Sequence, residues 1–220
     1  MINNIFFLFL LSHLIGDYVF QTSYIAKYKV SKLSVLLLHI FIIFISMFLL
    51  FLPSSLNLYN LLLLVILTFV HLLIDILKYK NRDKKMFNTS EYYVLDQFMH
   101  FSSLMIVSLI YNQTEFFINF DLAKVISLGL FNAYFIGLLF YMFKGSKKAY
   151  KRDYLGYLLR FSLPIIKYYS NTFFLIFSLI FVLTTICLAK KNEESIKIEL
   201  GPLAMSVIIT YLSIWRWYYV

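Results

Sequence analysis

Seven apolar runs fill most of this 220-residue chain, near residues 3–20, 33–52, 58–78, 91–111, 120–143, 171–189 and 202–219. Most approach the ~20 residues a helix needs to cross the hydrocarbon core of a bilayer. In that medium each run must satisfy its own backbone N–H and C=O groups, so the runs are expected to be helices. No alternation of the kind a membrane barrel needs is visible. Composition points the same way: 61% of residues are hydrophobic, 14% are charged, and the mean hydropathy is +0.80. Soluble domains are nearer half apolar and a quarter charged. The expected fold class is an all-α polytopic membrane protein with six to seven transmembrane helices. The range reflects the last run, where Trp215, Arg216, Trp217 and two tyrosines suit an interfacial end. The first run lacks a basic leader and a small-residue cleavage site and carries Asp17, so it reads as a retained helix.

Charge separates the connections. The first carries Lys27, Lys29 and Lys32, the third Lys78, Lys80, Arg82, Lys84 and Lys85, and the fifth is basic from Lys144 to Lys167. The second has no charge, and the fourth offers only Glu115 and Asp121. Lysine and arginine mark cytoplasmic loops, which places connections one, three and five in the cytoplasm and the N-terminus outside a cytoplasmic membrane. The formal charge of +9 is therefore assigned to topology and anionic headgroups, and no nucleic-acid partner is expected. Residues 144–169 mix basic residues with aromatics and leucines. They read either as an amphipathic helix on the membrane face, stopping near Pro164, or as a plain basic loop. The single cysteine, Cys187, excludes an intramolecular disulfide framework and a cysteine-based zinc site.

Polar residues interrupt the first four runs in a pattern. His13, His39, His71 and His100 fall one per run, and three aspartates lie four positions from a histidine: Asp17, Asp75 and Asp96. Residues at that spacing share a helix face about 6 Å apart. With the topology above, all four histidines lie roughly 9–14 Å below the cytoplasmic interface at ~1.5 Å per residue. The segment "HLIGD" from His13 is echoed by "HLLID" from His71, each ending a run that precedes a basic connection. Two such hairpins would face each other about a rough twofold along the membrane normal. The expectation is a bundle of residues 1–112 with a polar His/Asp core near the cytoplasmic side. Residues 113–220 would form accessory membrane helices in the same unit.

Burying ionisable groups in a bilayer is costly, so each needs a partner. Neutral imidazoles and carboxylates are common ligands of zinc, manganese and iron, and bundle helices can present them inward. His13, Asp17, His39, His71, Asp75, Asp96 and His100 are the candidate metal ligands, enough for one or two divalent ions. Asp17, Asp75 and Asp96 are also the candidate catalytic groups, since an aspartate off the metal can act as a base. Gln21 and Lys78 continue the same helix faces to the rim, where they can bind an anionic substrate or reach the headgroups.

The blocks "HLIGDYVFQ", the histidine of "LLLH", "HLLIDILK" and "DQFMH" resemble the motifs of the DUF3307 family of bacterial membrane proteins, over residues 5 to about 105. The resemblance implies that His13, Asp17, Gln21, His39, His71, Asp75, Lys78, Asp96, Gln97 and His100 occupy the family's motif positions, with Gln97 joining the rim. In the second half "GYLLR", Gly156 to Arg160, is similar to a Gly-x-Leu-Glu-Arg block of related chains, with Leu159 at the glutamate position. The resemblance implies a fold and a site but no reaction. The His/Asp pattern is also similar, as chemistry alone, to that of membrane-bound metal-dependent hydrolases.

Three function classes follow. The first is a metal-dependent membrane enzyme, hydrolase-like, acting on a lipid or headgroup ester or phosphoester. The second is a proton or metal-ion transporter, which would need polar groups in the outer half of the spans as well. The third is a structural or regulatory membrane partner whose basic connections dock a cytosolic protein.

Overall fold

The computed structural model describes residues 4–112, 116–143, 153–191 and 196–215. Among them every regular element is helical, and the only strand-like pairing is an isolated bridge between Pro53 and Phe116. The helices are α1 (Asn4–Leu14), continued by a wider π turn (Ile15–Val19), α2 (Ser23–Tyr28), α3 (Leu33–Leu50), α4 (Leu58–Lys80) and α5 (Ser90–Ile110). Then come α6 (Phe120–Leu130), a second π turn (Phe131–Ile136), α7 (Gly137–Phe143), α8 (Tyr154–Tyr169), α9 (Asn171–Lys191) and α10 (Ile196–Trp215). Among the described residues five segments are long and apolar enough to cross a membrane: Leu33–Leu50, Leu58–Lys80, Ser90–Ile110, Phe120–Phe143 and Asn171–Lys190. Asn4–Val19 and Leu200–Ile214 are apolar but shorter. Helix starts follow local chemistry. Thr22, Asn57, Thr89 and Asp153 each cap a helix by accepting a backbone N–H from its first turn.

The chain divides into two compact units, Met1–Ser127 and Leu128–Val220. In the first, α1 and α4 each pack against both α3 and α5, so four helices close a ring around a shared interior. On α4 the buried set Leu63, Leu64, Leu67, His71, Ile74 and Asp75 follows helical spacing, while Leu62, Ile66, Phe69 and Leu73 are exposed. An outer surface this apolar suits a bilayer.

Two features fix the ring. One is Gly16, in the first π turn. A Cβ built there would lie 2.6 Å from Ile43 Cδ1 and 3.2 Å from Ile43 Cα, so α1 and α3 cross closer than a side chain allows. The other is a polar knot at the start of α4. Asn60 donates from Nδ2 to the Ser54 carbonyl (3.2 Å) and accepts the Asn112 N–H on Oδ1 (3.2 Å). Ser54 Oγ pairs with the Tyr111 hydroxyl at 2.8 Å, and Tyr111 meets the rings of Phe9 and Phe51.

In the second unit α8, α9 and α10 pack on one another around Leu163, Phe174, Phe181 and Leu203, and the second π turn packs on α8. That π turn accounts for the buried Arg160. Its Nε donates to the Asn132 carbonyl and its Nη2 to the Ala133 carbonyl, both at 3.2 Å, while Nη1 lies 3.6 Å from Asp153. A widened turn frees carbonyls that a planar guanidinium can serve in pairs. Where the sequence suggested a stop near Pro164, the helix continues to Tyr169. Proline forfeits the bond to the carbonyl four residues earlier. Here Leu163 and Pro164 are both buried, so packing outweighs that loss. Lys167, grouped in sequence with the basic connection, donates to Asn171 Oδ1 and lies over the Phe174 and Tyr211 rings, at 5.3 and 4.8 Å. Lys144, Lys147, Lys148, Lys151 and Arg152, Glu115, and the end from Arg216 onward lie outside the described residues, as does the side chain of Trp215.

Candidate metal centre

The ring of helices brings the four histidines together. His13 comes from α1, His39 from α3, His71 from α4 and His100 from α5, and all are buried. Ring centroids lie 4.1 Å apart for His71 and His100, 5.3 Å for His13 with each of these, and 5.6 Å for His39 and His71. Two carboxylates join them. Asp17 and Tyr18 are both buried in the first π turn. Asp75 sits one turn after His71.

Asp17 Oδ1 is 3.2 Å from His39 Nε2. Asp75 Oδ2 lies 3.5 Å from His39 Nε2 and 3.8 Å from His71 Nε2, and Asp75 Oδ1 lies 3.7 Å from His100 Nε2. Among the described residues two sets of three ligand atoms therefore fall within 4.8 Å: Asp17, His39 and His71, and His71, Asp75 and His100. His13 and Asp96 belong to neither set.

Several of these atoms have no hydrogen-bond partner among the described residues: both ring nitrogens of His13, His71 Nε2 and Asp75 Oδ2. An unpaired buried polar atom costs about 1–3 kcal/mol. A cation shared by the lone pairs of His71 Nε2 and Asp75 Oδ2 removes that cost at those two atoms, so these His/Asp groups could hold a metal ion.

One member of the cluster is absent from the polar pattern read in sequence. Lys29, at the end of α2, places Nζ 3.1 Å from Asp17 Oδ1, 3.1 Å from His39 Nε2 and 3.8 Å from Asp75 Oδ2. Burial opposes its charge, but Asp17 and Asp75 outweigh burial and hold its pKa above the ordinary lysine value. The sequence signal is faint. Ile25, the buried residue of α2, lies four positions before Lys29 and so on the same helix face.

A second layer surrounds this core. Asp96 Oδ2 accepts from Gln97 Nε2 at 3.3 Å and lies 3.8 Å from Lys78 Nζ. Gln97 Oε1 accepts the Tyr18 hydroxyl at 3.1 Å, and Tyr18 also pairs with the Tyr93 hydroxyl at 2.6 Å. Lys78 is 26% exposed where Asp96 is 5% exposed, so the lysine is the outer member of that pair. Gln21 is half-buried in the link between the π turn and α2. Tyr18 and Tyr93, like Lys29, are not singled out by the His/Asp spacing.

The family model DUF3307, described as a protein of unknown function, matches residues 5–128. The chain belongs to the DUF3307 family. No curated protein and no solved structure matches it. In this DUF3307 chain every residue of the two layers, Lys29 included, lies inside the matched span, and α8, α9 and α10 lie outside it.

Proposed function

We propose that this protein is a metal-dependent membrane enzyme, hydrolase-like, whose His/Asp cluster acts on a lipid or headgroup ester or phosphoester. The observation that carries the reading is the pair of buried ligand triads sharing His71, with unpaired lone pairs on His71 and Asp75. Their nitrogen and carboxylate donors suit zinc, manganese or iron. When bound, such an ion polarises a scissile ester and lowers the pKa of a water molecule.

The protein's own groups supply the rest. Asp96 is held through Oδ2 by Gln97, while Oδ1 has no hydrogen-bond partner among the described residues, which suits a base. Lys78 and Gln21 at the rim would receive an anionic headgroup, and Tyr18 and Tyr93 would fix Gln97 in place. In this reading six to seven helices span the bacterial cytoplasmic membrane with the N-terminus outside, the cluster lies in the cytoplasmic half, and residues 1–112 form the working bundle. The remaining helices are accessory, and their basic connection would meet headgroups or a cytosolic protein.

An enzyme suits the interior better than a conduit. Between Asn60 and His71, about 16 Å of helix at ~1.5 Å per residue, the buried residues of α4 are Leu63, Leu64 and Leu67. The test is elemental analysis of gently purified protein beside His71→Ala, with release of product from lipid esters and phosphoesters followed in both. Bound divalent metal and metal-dependent release in the wild type, both lost in the variant, are expected. A metal-free wild type with unaltered behaviour in the variant overturns the reading.

A further inference from the structure

Lys29 bears on how many ions the cluster holds. An ammonium group only donates, so the 3.1 Å contact with Lys29 Nζ uses the Nε2 lone pair of His39, in the tautomer that carries its proton on Nδ1. A metal ion on His39 Nε2 would need that same lone pair. A metal–nitrogen bond there is about 2.1 Å long, and Nζ stands only 3.1 Å from that nitrogen, so the ion and the ammonium would share one space. The ammonium and an ion on His39 therefore compete for one lone pair, and as two cations they repel each other. Asp17 Oδ1, the next ligand of that triad, also accepts from Lys29, at 3.1 Å. The other triad is open to an ion. Nζ approaches it only at Asp75 Oδ2, 3.8 Å away and beyond hydrogen-bond reach.

We propose that the cluster is built for one divalent ion, on His71, Asp75 and His100, and that the Lys29 ammonium stands as a fixed second cation between Asp17 and His39, where a two-metal site would hold its second ion. This rests on the metal reading above. Charge agrees with it. Asp17, Asp75 and Asp96 against Lys29 and Lys78 leave one net negative charge with neutral imidazoles. One divalent ion turns that into a single positive charge, which one anionic group balances. Two ions beside Lys29 would leave three positive charges in a buried site, each unpaired charge there being costly. Lysine thus does electrostatically at Asp17 what a second ion would do, with no coordination chemistry of its own.

The experiment loads the purified full chain with Mn2+, removes free ion, and measures manganese per chain together with its electron paramagnetic resonance spectrum. One ion per chain and the six-line spectrum of an isolated ion are expected for the wild type. Lys29→Met is expected to gain a second ion on Asp17 and His39, with a spectrum broadened by coupling. His39→Ala should keep its single ion and His100→Ala should lose it, an arm that holds even if Lys29→Met fails to fold. Two ions in the wild type, one ion in a folded Lys29→Met, or loss of the ion in His39→Ala overturns this inference and leaves the metal reading standing. No ion in the wild type overturns the metal reading itself.

Discussion

Replacing Gly16 with alanine tests whether the α1–α3 approach holds the cluster together. The new Cβ would lie 2.6 Å from Ile43 Cδ1 and 3.2 Å from Ile43 Cα. The methyl could in principle swing aside, but Ile43 is 1% exposed and has little room to do so. The second clash is with backbone, which has no rotamer to change, so relief requires the two helices to part by a few tenths of an ångström. Overpacking of this kind costs about 1–3 kcal/mol, and alanine returns up to about 1 kcal/mol through helix propensity. The expected net loss is about 1–2 kcal/mol. The same movement lengthens the 3.2 Å gap between His39 Nε2 and Asp17 Oδ1, which are carried by the two helices that separate. Reversible unfolding in detergent would measure the loss. Ile43→Val, which removes the clashing Cδ1, should recover part of it in a double-mutant cycle with a coupling of at least about 0.5 kcal/mol. A Gly16→Ala protein as stable as the wild type, or a cycle with no coupling, refutes the close-approach argument.

Asn60→Leu leaves the Asn112 N–H without its partner, while the Ser54 carbonyl keeps the Asn57 N–H, so a loss of about 1–3 kcal/mol is expected by unfolding. Its metal content should match the wild type, because the knot lies about 16 Å of helix from His71. In the second unit, Arg160→Lys keeps the charge but cannot serve the Asn132 and Ala133 carbonyls with one planar fork. Thermal unfolding should show a loss of about 1–3 kcal/mol, and an unchanged midpoint would mean that the π turn does not depend on the guanidinium.

The helices and the residues of the inner cluster are largely legible in sequence, because both are periodic. Apolar runs of membrane length can only be helices, and a histidine four positions from an aspartate shares a face with it whatever surrounds them. That is why His13 with Asp17 and His71 with Asp75 stand out without any knowledge of packing. Lys29 does not, because a lysine in a basic connection is explained by topology alone, and only the fold of α2 turns it inward. Tyr18 is hidden for a related reason. A tyrosine in an apolar run carries no polar signal of its own, and only the packed fold brings its hydroxyl to Gln97 and Tyr93. Gly16 looks like a break in the likeness between "HLIGD" and "HLLID", and the approach of Ile43 explains the difference from Ile74. Chain order and residue type are enough to set the helical class and which polar side chains share a helix face. These follow from backbone hydrogen bonding in an apolar medium and from 3.6 residues per turn. It takes the packed fold to set which faces meet, which ligand atoms fall within reach of one ion, and that a lysine lies between two of the carboxylates. Distances between atoms on different helices depend on packing, and no spacing along the chain encodes them.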